Sequence, residues 1–107
     1  MTKPVCPNIE FAFQLLGKRW NGILIYVLLE GPKRFNELTS IIPSISQKML
    51  AERLKELELY GVVERHVLPE IPVKVVYQLT EKGMGIENVL KEAKNWAEQY
   101  GKGDCND

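Results

Sequence analysis

The sequence predicts an α+β, mainly α domain in which helices come first, a two-stranded hairpin follows and a long helix closes the chain. Three observations carry that expectation. Apolar residues recur at helical spacing on both sides of a Pro43-Ser44-Ile45 turn. Two β-branched runs, Val62 to Leu68 and Val73 to Leu79, flank the loop Pro69-Glu70-Ile71-Pro72. A regular apolar stripe then runs to Tyr100.

The first helix is read from Ile9, Ala12, Phe13 and Leu16, with Phe11 and Leu15 forming a second apolar row. That is more oily surface than one core contact requires, and Gly17 ends the helix. Ile23 to Leu29 is apolar all round, a pattern that a buried strand would share. A buried helix from Asn21 to Leu29, closed by Gly31-Pro32, is the preferred reading. Phe35, Leu38, Ile41 and Ile42 line one face of a short helix that Pro43 stops. Ser46 is an N-cap residue for a longer helix, and Ile45 before it can staple onto Leu50. Leu50, Leu54 and Leu57 point into the core, and Gly61 terminates that helix. The last helix is expected over Lys82 to Tyr100, with Ile86, Val89, Leu90, Ala93, Trp96, Ala97 and Tyr100 as its stripe. This order is the winged helix-turn-helix arrangement: one domain over 1–107, a helix-turn-helix over about 35–60, a wing over about 62–80 and a closing helix over about 82–100.

Bulk properties narrow the function. A chain of 107 residues has room for one modest core, and a hydrophobic share of 45% excludes a largely disordered chain. The 14 basic and 14 acidic side chains balance, which counts against coating nucleic acid by bulk charge. Their distribution differs along the chain: Lys33, Arg34, Lys48, Arg53 and Lys55 lie in the middle, and acids prevail after Thr80. That suits a domain touching phosphate on one side only. No secretory signal is visible at the start, and Ile23 to Leu29 is far too short to span a bilayer, so a cytoplasmic address is expected, with no membrane partner. The two cysteines, Cys6 and Cys105, with the single His66, show no zinc spacing, so no metal and no cofactor is expected. No P-loop, nucleophile elbow or Cys-x-x-Cys appears, so catalysis has no visible seat.

In a helix-turn-helix the second helix enters the major groove of double-stranded DNA, and here that helix is Ser46 to Tyr60. With the three leucines inward, its opposite face carries Lys48, Ala51, Glu52 and Lys55. Gln47 and Lys48 lie in the first turn, where Gln can pair with adenine and Lys with guanine or phosphate. Ser46 can cap the helix and still lie near the DNA backbone. Glu52 can accept from a cytosine amino group, or pair with Lys48 or Lys55. Arg53 sits at the edge of the buried face, and both packing and phosphate contact are open to it. On the wing, Arg65 and Lys74 are the candidate phosphate partners. The plainer alternatives are a solvated helix face and an ordinary surface hairpin.

Pro7 biases Cys6 to an extended conformation just ahead of a helix, a place where a helix dipole favours thiolate chemistry, and Lys3 is close in sequence. Cys105 lies in a polar tail, with an incidental exposed thiol as the plain reading.

The chain resembles HxlR-type regulators, a branch related to the MarR-like winged-helix repressors. The resemblance is carried by Cys6-Pro7, Leu16-Gly17-Lys18-Arg19-Trp20, Gly31-Pro32-Lys33-Arg34-Phe35-Asn36-Glu37-Leu38, and Ile45-Ser46-Gln47-Lys48-Met49-Leu50. It continues through Leu54-Lys55-Glu56-Leu57, Gly61-Val62-Val63-Glu64-Arg65 and Tyr77-Gln78-Leu79-Thr80-Glu81-Lys82-Gly83. The stretches Leu16 to Gly22 and Gln47 to Leu57 are similar to the YodB-like members, thiol-based repressors that respond to quinones and related electrophiles. The resemblance implies a homodimer through the first and last helices, with Ile9, Phe13, Leu16, Ile86, Val89, Leu90, Ala93, Trp96, Ala97 and Tyr100 at the interface, reading a palindromic operator. It also implies that Cys6 is the sensor of a quinone or other small electrophile, with Cys105 open as a resolving thiol. Two alternatives stand beside this: a regulator answering a non-covalent ligand, and a winged-helix module that binds protein.

Overall fold

The structure is a computed structural model that describes residues 3–101. Helix α1 (Pro7–Leu16) starts where proline takes the first helical position, at which its missing N–H leaves nothing unsatisfied. Cys6 is its N-cap and Gly17 its C-cap. Helix α2 (Asn21–Leu28) follows at once. Its N-cap, Trp20, sits in the left-handed region at φ 80°.

Helix α3 (Phe35–Ile41) opens with the Glu37 carboxylate accepting from the Arg34 amide at 2.8 Å. Helix α4 (Gln47–Leu59) opens with the Ser46 hydroxyl oxygen accepting from the Met49 amide at 3.0 Å, the N-cap that Ser46 was expected to form. Gly61 leaves α4 at φ 77°, a conformation glycine adopts without a Cβ penalty. Strands β1 (Val63–Leu68) and β2 (Lys74–Leu79) pair antiparallel, from Val63 opposite Leu79 to Leu68 opposite Lys74. Lys33 adds a bridge to Tyr77, which pins the wing to the α2–α3 connection.

Every layer meets at α2. Leu24, Ile25 and Leu28 are buried with Leu38 of α3, Leu50, Leu54 and Leu57 of α4, and Val62, Val63 and Leu79 at the wing base. Ile45 and Leu50 are both inside this cluster, as a staple requires. The all-round apolar run is thus a central helix. Helix, helix-turn-helix, two-stranded wing and closing helices make a winged helix-turn-helix fold.

Two expectations are corrected. Ile41 is exposed instead of facing the core: Ile42 has left helical geometry (φ −120°, ψ 76°) and takes the inward place itself. The closing helix is also not continuous. It is split into α5 (Glu81–Met84) and α6 (Glu87–Tyr100), and the Ile86 amide bonds only three residues back, to the Gly83 carbonyl at 3.1 Å. Gly83 and Gly85 make this stretch a weak helix former. Gly83 is also pressed against the Val62 carbonyl, so α5 follows the wing base while α6 follows α2.

Helix α6 has no buried residue, and the molecule measures 61 × 33 × 25 Å. Its radius of gyration, 15.6 Å, exceeds the roughly 13 Å of a compact chain this long. Among the described residues no helix is long and apolar enough to cross a membrane.

Candidate nucleic-acid interface

The leucine stripe of α4 fixes which side of that helix meets solvent. With Leu50, Leu54 and Leu57 buried, the residues Ser46, Gln47, Lys48, Ala51, Glu52 and Lys55 are all exposed. They form one face beginning at the helix N-terminus, where the dipole and free amides favour phosphate. Glu52 forms no ion pair with Lys48 or Lys55 among the described residues, although both lie on the same face.

Arg53 is not part of this face. Its side chain is only 17% exposed, its Nε donates to the Arg19 carbonyl at 3.1 Å, and its Nη1 lies 3.5 Å from Glu56 Oε2. These contacts hold the side chain against the α1–α2 corner at that edge of α4.

On the wing, the strand register separates the two candidate cations. Arg65 lies opposite Tyr77, on the face shared with Val63 and Val67, whereas Lys74 lies opposite Leu68 on the other face. Arg65 is exposed and Lys74 half-buried. Ile71 and Val73 project at the tip.

Cys6 is exposed and free. Its backbone is extended (φ −59°, ψ 124°), its carbonyl accepts from the Glu10 amide at 3.1 Å, and its side chain forms no capping bond. The thiol therefore faces solvent at the head of α1. Cys105 lies outside the described residues.

Helix α1 and helix α6 carry the apolar surfaces that one chain leaves open. Ile9 and Phe13 are exposed on α1, whereas Leu16 packs against the core. On α6, Val89, Ala93, Trp96, Ala97 and Tyr100 are exposed, with Leu90, and Ile86 just before the helix, half-buried against the core. The rings of Trp96 and Tyr100 meet at a tilt of 44°, with centroids 5.7 Å apart.

A polar cluster beside α4 was not foreseen. Lys18 Nζ lies 2.9 Å from Glu56 Oε2, and fully buried Asn21 donates its amide to the Leu15 carbonyl at 2.8 Å. The bond from Lys18 chiefly holds the Glu56 carboxyl below its usual range, and Asn21 and Arg53 assist, while partial burial works the other way. One signal was available: an asparagine opening an otherwise apolar run must find a partner inside the protein.

Comparison with known proteins bears on this layout. The HxlR-like helix-turn-helix family matches residues 15–104. The chain belongs to the HxlR family. The HTH-type transcriptional regulator YodB of Bacillus subtilis (strain 168) is 62% identical over 100 residues, spanning 94% of this chain and 89% of that protein. Reduced YodB superposes with a TM-score of 0.83 at 62% identity, covering 94% of this chain and 100% of that one. Quinone-bound YodB gives 0.77 at 57% identity, over 88% and 99%. The redox regulator HypR in its oxidised form gives 0.83 at 44% identity, over 94% and 100%. This HxlR chain is accordingly a helix-turn-helix transcriptional regulator, and a redox regulator and a regulator solved with quinone bound are among its relatives.

Proposed function

We propose that the chain is a single-domain, homodimeric repressor that leaves its operator when Cys6 reacts with a quinone, another electrophile or an oxidant. The observation that carries this reading is the position of Cys6: an exposed thiol heading the same helix whose apolar side is left open. A twofold dimer built on α1 and α6 would present two α4 faces to half-sites about one helical turn apart on a palindromic duplex. Gln47 and Lys48 would read base edges. Ser46, Ala51, Glu52 and Lys55 would line the groove, and Arg65 and Lys74 would meet phosphates from their two sides of the wing.

Addition to a quinone balances without a further reactant. The sulfur attacks a ring carbon, a C–S bond forms, and the ring becomes a hydroquinone as the thiol proton and the displaced ring proton end on its oxygens. With an oxidant that takes up two electrons and the two thiol protons, Cys6 would instead join Cys105 of the partner subunit in a disulfide. Either product places new bulk or a crosslink at the head of α1, beside the open apolar surface.

A gel shift on promoter fragments, with and without p-benzoquinone, tests this. Salt-sensitive binding that quinone releases in wild type but not in Cys6→Ser is expected. Release that persists in Cys6→Ser would replace covalent sensing by a non-covalent ligand. An apolar pocket of about 210 Å³ between α1 and the α5–α6 joint, lined by Phe11, Leu15, Val62, Ile86 and Val89, would be its seat. Absence of any DNA binding would leave a protein-binding module.

A further inference from the structure

Helix α1 is tied to α4 at two points, and neither uses a residue of the exposed α4 face. Near the middle of α1, the Phe11 ring meets Tyr60, the C-cap of α4, edge to face at 6.1 Å between centroids. Lys82 braces that contact: its Nζ lies 5.6 Å from the Phe11 centroid and donates to the Tyr60 carbonyl at 2.6 Å. Past the C-terminal end of α1, Lys18 reaches Glu56 at 2.9 Å and Arg53 takes the Arg19 carbonyl at 3.1 Å.

The corner between these points is stiff. Buried Asn21 holds the Leu15 carbonyl, and Trp20 keeps φ 80°, which costs a non-glycine residue about 1–2 kcal/mol and persists only where neighbours hold it. The Arg19 guanidinium lies over the Trp20 ring at 4.7 Å. A helix of 10 residues is a rod about 15 Å long, with Cys6 at one end and this corner at the other.

We infer that Lys18, Arg53 and Glu56 are positioning residues that fix the angle of α4 to α1, so that displacing α1 moves the DNA-reading face with it. The source of that displacement rests on the reading of Cys6 given above. The Glu56 carboxylate is the hinge pin of the arrangement. Its Oε2 faces both Lys18 and Arg53, and its Oε1 is buried without a hydrogen-bond partner. Removing its charge leaves two cations facing each other, which loosens the corner with almost no change of shape. Arg53 acts here through Arg19 and Glu56, and contributes no phosphate contact.

The test uses full-length protein and a duplex that wild type selects from a random-sequence pool. Operator affinity is measured against salt, with and without p-benzoquinone, for wild type, Glu56→Gln, Lys18→Met, Arg53→Gln and Arg53→Lys. Positioning predicts that Glu56→Gln and Lys18→Met cut the quinone-induced loss of affinity at least threefold. It also predicts that Arg53→Gln weakens binding at an unchanged salt slope and that Arg53→Lys recovers part of the loss. Lys18 is half exposed, so Lys18→Met keeps the test alive if Glu56→Gln unfolds the domain. An undiminished quinone response in both variants overturns the coupling. A slope shallower by about 0.9 in Arg53→Gln makes Arg53 a phosphate ligand and overturns its positioning role. Wild type that binds DNA but ignores quinone removes the Cys6 reading and the coupling with it, while the Arg53 slope still decides positioning.

Discussion

The Thr80 hydroxyl donates to the Gly61 carbonyl at 2.6 Å and accepts from the Gly83 amide at 3.1 Å. One side chain thereby closes the turn out of α4 and opens α5, and its backbone amide adds a bond to the Val62 carbonyl at 3.0 Å. The junction ties the end of α4 and the base of the wing to the start of α5.

Thr80→Ala is expected to lower unfolding free energy by about 1–2 kcal/mol, and Thr80→Ser to recover most of it, because the cap needs only the hydroxyl. Urea titration of the three proteins measures this. Equal midpoints for alanine and threonine would show that the junction does not depend on the hydroxyl.

Gly83→Ala should be more damaging than an exposed helix substitution, which ordinarily helps. A Cβ there would strike the Val62 carbonyl, with the Leu79 and Val62 side chains at 3.1 and 3.2 Å behind it. A loss of roughly 1–3 kcal/mol is expected from such overpacking. A stabilised Gly83→Ala would mean that α5 can lift off the wing base freely.

Glu56 sets an acid limit. Its carboxyl titrates below the usual value of 4.5 because Lys18 bonds the charged form. The ionised group therefore stabilises the fold at pH values above 4.5, and that contribution is lost as pH falls through the lowered folded value. The urea midpoints of wild type and Glu56→Gln should differ at pH 7 and converge toward pH 3. A constant gap would separate the effect of the substitution from ionisation.

Lys48 and Lys55 stand on the exposed face of α4 and should each carry a phosphate-type share of DNA affinity. Replacing either by Gln should flatten the plot of log affinity against log salt by about 0.9. Gln47→Ala should instead relax preference at one base pair, by about 1–3 kcal/mol, at constant slope. Loss of slope in Gln47→Ala, or of base preference alone in Lys48→Gln, would reverse these roles.

Trp96 is 65% exposed and Phe13 likewise, so charge at either spot costs the isolated chain little burial. Trp96→Asp and Phe13→Glu are expected to sediment at half the wild-type mass with α4 still helical by circular dichroism. Wild-type mass in both would move the subunit contact off α1 and α6.

Much of this layout was legible because periodic burial leaves a periodic sequence. Leu50, Leu54 and Leu57 declare the inner face of α4, Ser46 its start, and the paired β-branched runs the wing. What escaped depends on contacts between distant segments. Helical phase puts Lys55 on the outer face and Arg53 at the edge of the buried one, but only the arrival of the α1–α2 corner ties up Arg53 and leaves Lys55 in solvent. A tryptophan at φ 80° has no propensity signal, since its conformation is imposed by its neighbours. The apolar stripe of the closing segment begins only at Ile86, so the pattern carries no sign of the break that Gly83, pressed on Val62, and nearby Gly85 introduce.

Helix α6 runs for 14 residues without a single buried side chain, and of the other elements it lies chiefly along α2. Short helices draw most of their stability from packing, and Leu90, with Ile86 just before the helix, is only half-buried against this chain's own core, so in the proposed dimer the partner subunit would supply much of what holds α6. For that dimer dilution would act as a denaturant. Its melting temperature would become a function of how much protein is in the cell or the tube, and scarce copies would be the first to lose their shape.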